Sequence, residues 1–237
     1  MSTNSESWSG PGLMQLAFSI PSTSKLSQET FDTWLNEVYL PALIDSGVVL
    51  SAWRYRAANL DYPKQHIALL KIGDLAPVQD GAIQKISRTS DKFPTNGPVE
   101  EFVDSESKIF ALDQLFETER QPEDVAKTII WAAMEPQPGG EADLDAWYRD
   151  EHNQQMSEQP GWKRTTRFKL LYQHRSDGRE PEYLSFVAIH EFGEGHHLGK
   201  NVEPLDPMTE WTKRCMSAAK GIDAAIYEKT KHFGRKT

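Results

Sequence analysis

Cysteine is almost missing from this chain of 237 residues; Cys215 is the single one. No intrachain disulfide can form, which fits a reducing compartment such as the cytoplasm. No run of about 18 apolar residues exists, so no helix is expected to span a bilayer. Basic charge is also short. Lys and Arg number 26 against 35 Asp and Glu, a net charge of −9. That balance excludes the basic stripe of a nucleic-acid surface and a polybasic membrane anchor. Residues 1–12 lack the basic start and apolar core of a signal peptide and read as a disordered tail. The sequence has no Walker loop, no G-x-G-x-x-G, no G-x-S-x-G and no CxxC, so nucleotide, flavin and serine-hydrolase chemistry find no support. Cys215 reads as a thiol packed in a helix, with no base placed beside it.

What the chain does contain is one pattern written twice. Phe31-Asp32-Thr33-Trp34-Leu35-Asn36-Glu37-Val38-Tyr39 aligns with Leu144-Asp145-Ala146-Trp147-Tyr148-Arg149-Asp150-Glu151-His152 at a constant shift (144 − 31 and 152 − 39 both give 113). The same shift places Arg54-Tyr55 on Arg167-Phe168. A repeat of this kind predicts two similar subdomains packed on each other, with chemistry concentrated where they differ.

Periodicity gives each half the same order of elements. In the first half, strands are expected at 13–20, 48–56, 66–72 and 108–116. A helix capped by Ser27 runs toward Gly47 with Pro41 interrupting it, and a weaker helix lies near 80–88. In the second half, strands are expected at 126–134, 162–172, 183–190 and 224–233, and helices at 143–159 and 204–219. The organisation is a tail (1–12), a first β-α-β-β-α-β repeat (13–117), a charged linker (118–125) and a second repeat (126–237). Each unit makes a four-stranded antiparallel sheet with helices on one face. Aromatics on several strands make a bare second face costly, so the two sheets are expected to close face to face. The fold class is α+β, two tandem ferredoxin-like repeats forming one pseudo-dimeric barrel with an interior cavity.

The segment Trp147-Tyr148-Arg149-Asp150-Glu151-His152, then Pro160-Gly161-Trp162 and the strand Arg164 to Phe168, resembles the dimeric α/β-barrel superfamily, especially its EthD-like branch. The likeness covers about 25 residues of the second half and only a degraded echo of it in the first, where Tyr39 stands in the place of His152. The superfamily includes cofactor-free monooxygenases, muconolactone-type isomerases, polyketide decarboxylases and cyclases, and some haem enzymes. Resemblance therefore implies a small-molecule enzyme, often of polyketide or terpenoid pathways, without fixing the reaction.

Three residues are candidates for catalysis. His152 can exchange a proton near neutral pH; Tyr148 lies one helical turn before it; Arg167 on its strand carries a fork suited to a carboxylate or enolate oxygen. Trp53, Trp131, Phe168, Tyr183, His190 and Tyr39 are candidates for binding substrate. A surface or structural ion pair is the plain alternative for Arg167, and ordinary core packing for the aromatics. His190, Glu191, His196 and His197 are close in sequence, but their spacing matches no metal-site motif, so no metal is expected.

The expected activity is cofactor-independent cyclisation, isomerisation or decarboxylation of a hydrophobic polyketide- or terpenoid-like intermediate held in the barrel cavity. The alternatives are oxygenation by the same fold, cofactor-free or with a haem on His152, and non-catalytic binding of a lipophilic ligand. A hydrophobic small molecule is the expected partner, and the chain is expected as a monomer or homodimer without nucleic acid or membrane.

Overall fold

A computed structural model describes residues 7–234. Eight antiparallel strands make a closed barrel: β1 (Gly12–Ser19), β2 (Val49–Ala57), β3 (His66–Ile72), β4 (Asp104–Phe116), β5 (Thr128–Glu135), β6 (Trp162–Arg175), β7 (Phe186–Phe192) and β8 (Gly221–Gly234). Their order around the barrel is β1-β3-β2-β8-β5-β7-β6-β4. The two halves are joined where β2 pairs with β8 and β4 pairs with β6. Closure leaves no unpaired sheet edge among these strands.

The helices lie outside the barrel. The first helical segment runs through α1 (Gln28–Trp34), a π-helical turn at Leu35–Tyr39 and α2 (Leu40–Asp45). Ser27 caps it by accepting the Thr30 N–H at 3.1 Å. Pro41 is tolerated because it sits in the first turn of α2, where the missing N–H matters least. A short α3 (Ala76–Gln79) follows β3. The second helical segment repeats the form: α4 (Glu141–Trp147), a π-helical turn at Tyr148–His152, and α5 (Asn153–Ser157). The two π turns stand 113 positions apart (148 − 35). The last helix, α6 (Glu210–Ala218), packs on α4, with Trp147 Nε1 donating to Thr212 Oγ1 at 3.2 Å.

Strand alternation divides the core into an inside and an outside. Leu13, Tyr55, Leu69, Phe110, Trp131, Phe168, Val187, Ile189 and Tyr227 fill the barrel interior. Trp34, Leu35, Tyr39, Leu40 and Leu70 form the outer layer of the first half. Trp147, Tyr148 and Ala188 belong to the corresponding layer of the second, beside Met156, Trp162 and Phe192.

Several expectations need correction. Residues 1–6 of the expected tail lie outside the described residues; of 7–11, Ser7, Ser9 and Pro11 are exposed, while Trp8 N–H donates to Gln79 Oε1 at 2.8 Å and its ring meets Tyr172. The helix expected near 80–88 reduces to α3 and a single 3₁₀ turn at Ile83–Lys85. Gly81, at φ 81°, takes the backbone out of the helical region and stops propagation. The second late helix begins only at Glu210, capped by Thr209. Strand β7 begins at Phe186 instead of 183. The linker lies across one barrel mouth. Glu123 bonds Ser51 and pairs with Lys71, and Asp124 accepts from Trp53 Nε1 at 2.9 Å and Lys229 Nζ at 2.6 Å.

Candidate active site

The π turn and strand β6 bring the second half's distinctive residues together. An extra residue in the helix turn re-aims the side chains that follow it. His152 stacks on Trp147, with ring centroids 4.2 Å apart. It meets Tyr148 edge to face at 5.2 Å and His190 of β7 edge to face at 5.5 Å. His190 is fixed in turn by Thr165 Oγ1, 2.8 Å from its Nδ1, while Trp162 Nε1 donates to the same hydroxyl at 3.1 Å. His152 Nδ1 is buried and has no hydrogen-bond partner among the described residues, and neither has Asn153 Oδ1. His152 as a whole is half-buried.

Arg167 lies beneath this group and is 3 % exposed. Its guanidinium carbon sits 4.4 Å from the Tyr148 ring centroid. Nη1 donates to Asp145 Oδ1 at 2.8 Å and to Gln114 Oε1 at 3.1 Å, and Nη2 stands 3.7 Å from Asp113. Arg167 thus lies as a tether beneath Tyr148, with both Nη1 hydrogens used on Asp145 and Gln114.

Burial sets the electrostatics. Desolvation pulls His152 down to about 4, with a side-chain hydrogen bond to Gln155 opposing the fall and the Arg167 charge adding to it. His190 is held well below its ordinary value by burial and by His152. Both imidazoles are neutral at neutral pH, each offering one N–H and one lone pair. Burial raises Tyr148 to about 12, so it stays protonated.

The first half shows the same place packed without histidine. Tyr39 stacks on Trp34 at 4.9 Å, as His152 does on Trp147. Arg54 pairs with Asp32 at 2.8 Å, as Arg167 does with Asp145. Strands β3 and β7 have equal length and the same burial pattern, so His190 stands where β3 has Leu70 (190 − 120). Apolar Leu35 and Leu70 with Tyr39 fill the first half completely. The second half puts Tyr148, His190 and His152 there.

The remaining candidates are scattered. Strand alternation sends Thr165, Arg167 and His190 toward the helices, and Arg164, Thr166, Phe168 and Glu191 into the barrel. Contrary to the expectation from sequence, His152 and Arg167 therefore do not face the barrel cavity; alternation alone does not say which face is inward. Trp53 and Phe168 do line a cavity of about 400 Å³ at the linker end of the barrel. Trp131 is buried deeper, edge-on to Phe110. Tyr183 is 61 % exposed in the loop before β7. Tyr39 is buried in the first half's outer core. Sequence reasoning missed Arg164, Glu191, Glu123 and Tyr55, which face the cavity; charged residues alternating with apolar ones on β6 and β7 were the available signal.

Neither place suits a haem. Trp147 covers one face of the His152 imidazole and Tyr148 and His190 abut it, and the one lining residue of the cavity of a type that ligates haem iron is Tyr55, whose hydroxyl burial keeps protonated. Among the described residues no group of three or more His, Cys, Asp or Glu side chains could hold a metal ion. None of the described helices is long and apolar enough to cross a membrane.

No known family profile matches this sequence, and no curated protein does. Solved structures do resemble it in fold. An anthrone oxidase-like protein superposes with a TM-score of 0.58 at 10% identity, covering 97% of this chain and 94% of that one. A monooxygenase candidate from Fusobacterium nucleatum gives 0.56 at 7% identity, covering 95% of each chain. A variant chlorite dismutase from Candidatus Nitrospira defluvii gives 0.54 at 9% identity, covering 94% and 92%. What these likenesses share with the chain is the fold, an eight-stranded antiparallel barrel with helices outside it.

Proposed function

We propose that this chain is a cofactor-independent enzyme of secondary metabolism, acting by proton transfer on a hydrophobic polyketide- or terpenoid-like intermediate. The reaction would be a cyclisation, isomerisation or decarboxylation. The observation that carries this reading is the replacement of a hydrophobic cluster by two neutral imidazoles. Tyr39, Leu35 and Leu70 show that the fold packs this place without histidine. Burying His152 and His190 costs stability, and such departures from packing logic mark functional positions. The recurring Asp–Arg pairs, Trp stacks and π turns also support reading the chain as two ferredoxin-like repeats of the EthD-like kind.

In this reading His152 Nδ1, buried and unpartnered, is the atom that meets the substrate. A neutral imidazole held at about 4 is a weak base but a good hydrogen-bond donor to a developing enolate. Its tautomer decides which of the two roles Nδ1 takes. His190, anchored by Thr165, orients against it. Tyr148, kept protonated and fixed over Arg167, supplies a second donor. Segment 193–209 packs Leu198, Val202 and Leu205 beside Met156 and Trp162 and would cover an apolar substrate from water.

The test is turnover of a panel of anthrones and linear poly-β-ketones by the purified chain, under air and under nitrogen, in deuterated water. Oxygen-independent conversion with deuterium incorporation, lost in His152→Ala, is the expected result. The fold likeness to an anthrone oxidase-like protein and to a monooxygenase candidate favours a second reading, oxygenation at the same cluster. Conversion only under air, with oxygen entering the product, would establish that one instead. Ligand capture without conversion would leave a lipophilic-ligand binder.

A further inference from the structure

The barrel interior is not used by the proposed reaction, yet it is built like a ligand site. The cavity of about 400 Å³ has an apolar floor of Leu13, Leu69, Phe168 and Ile189. Its volume lies in the roughly 300–1,000 Å³ range of small-molecule pockets. Leu112 and Leu115, which also line it, are 39 % and 53 % exposed. Large apolar side chains left in water at a cavity wall suit an apolar occupant.

The polar groups of the wall then define the occupant's head. Two of the three wall acids, Glu191 and Glu123, are paired with cations. Glu191 accepts both Nε and Nη2 of Arg164, the latter at 2.8 Å. Glu123 holds Ser51 and pairs with Lys71 at 3.3 Å. Glu117 accepts the Gln121 N–H and adds to the negative field around Arg164. Trp53 Nε1 is spent on Asp124. Three wall groups have no partner among the described residues, and each can donate: the Tyr55 and Thr166 hydroxyls within the cavity and the exposed Arg120 guanidinium in the linker that crosses its mouth. Burial raises Tyr55 well above its ordinary value, so it remains a donor. A complementary ligand must therefore bring acceptor oxygens and one negative charge on an apolar body.

We propose that the barrel interior is a second ligand site that takes an amphipathic carboxylate, with its chain or ring against Leu13, Leu69 and Phe168 and its acid group read by Tyr55 and Arg120. This site shares strands β6 and β7 with the histidine cluster but uses their opposite face. Occupancy of one can change the packing of the other only through those strands.

Calorimetric titration of the full chain with dodecanoate tests it, with dodecanol and dodecyltrimethylammonium as comparators. The expected result is one dodecanoate per chain, bound at least tenfold more tightly than either comparator. Arg120→Glu should weaken dodecanoate at least tenfold and leave dodecanol unchanged. Leu69→Trp should fill the floor and block both. If Leu69→Trp does not fold, Arg120→Glu decides, because its exposed position leaves the core untouched. His152→Ala should bind dodecanoate like the parent chain, which separates this site from the proposed catalytic one. No saturable binding, equal affinity for the three probes, or loss of binding in His152→Ala would each overturn the proposal.

Discussion

Arg167 Nη1 lies 2.8 Å from Asp145 Oδ1, tying strand β6 to helix α4 beneath the histidine cluster. Burial pushes Asp145 up, but Arg167 and Arg149 outweigh it and hold the carboxyl below its ordinary range. Removing the arginine strands Asp145 and Asp113 without their buried partner. Arg167→Met should cost about 2–3 kcal/mol, the low end of breaking a buried pair, because Asp145 is partly exposed. Arg167→Lys should recover part of the charge term but not the fork. Urea unfolding of both variants checks this; a loss below about 1 kcal/mol would reduce the pair to surface decoration.

The histidine cluster predicts a pH dependence of stability. His152 is held at about 4 in the native state, against about 6.5 in an unfolded chain. Above pH 6.5 both states are neutral and the group contributes nothing to the slope. Between 6.5 and 4 the unfolded chain binds a proton that the native one refuses, so stability falls as pH falls. From pH 6.5 to 5 the loss is about 2 kcal/mol. His152→Gln should make the curve shallower in that window, the slope that remains coming from His190, which burial also holds low, measured by urea midpoints at half-unit steps. Parallel curves for the two proteins would mean that His152 is hydrated in the native state.

Gly161 joins α5 to β6 at φ 76°, and a Cβ there would meet His196 N at 2.7 Å and Glu194 O at 3.0 Å. Both are backbone atoms, which cannot swing aside. Gly161→Ala should cost about 1–3 kcal/mol, seen as a Tm drop of about 3–8 °C. An unchanged Tm would show that segment 193–209 gives way freely.

Cys215 is buried beside Asp143, 3.9 Å from its Oδ2, and burial raises the thiol to about 11. At pH 8 its thiolate fraction is about 100-fold below that of an ordinary thiol. Iodoacetamide should label the native chain correspondingly slowly, and the urea-unfolded chain at the rate of free cysteine. Rapid native labelling would contradict this burial.

How much of this was legible beforehand varies by residue. The shift that pairs Trp34 with Trp147 and Asp32 with Asp145 is visible in the letters, and the structure gives both pairs the same stacking and ion-pair contacts. Helix starts read well where a side chain does local work, as at Ser27. They read poorly at 204–209, where periodicity continues beyond the cap at Thr209. His152 stood out because it replaces Tyr39. His190 gained its meaning only when β7 was set beside the π turn.

The sequence by itself determined the order of elements, the twofold pattern and the difference between the halves, because these rest on local propensity and on residues that can be compared along one line. The inward or outward sense of each strand was a tertiary decision. Arg164 and Arg167 are three positions apart on one strand, yet one meets Glu191 in the barrel and the other Asp145 under the helices. Alternation tells only that neighbours part company; barrel closure and helix packing decide which neighbour goes inside.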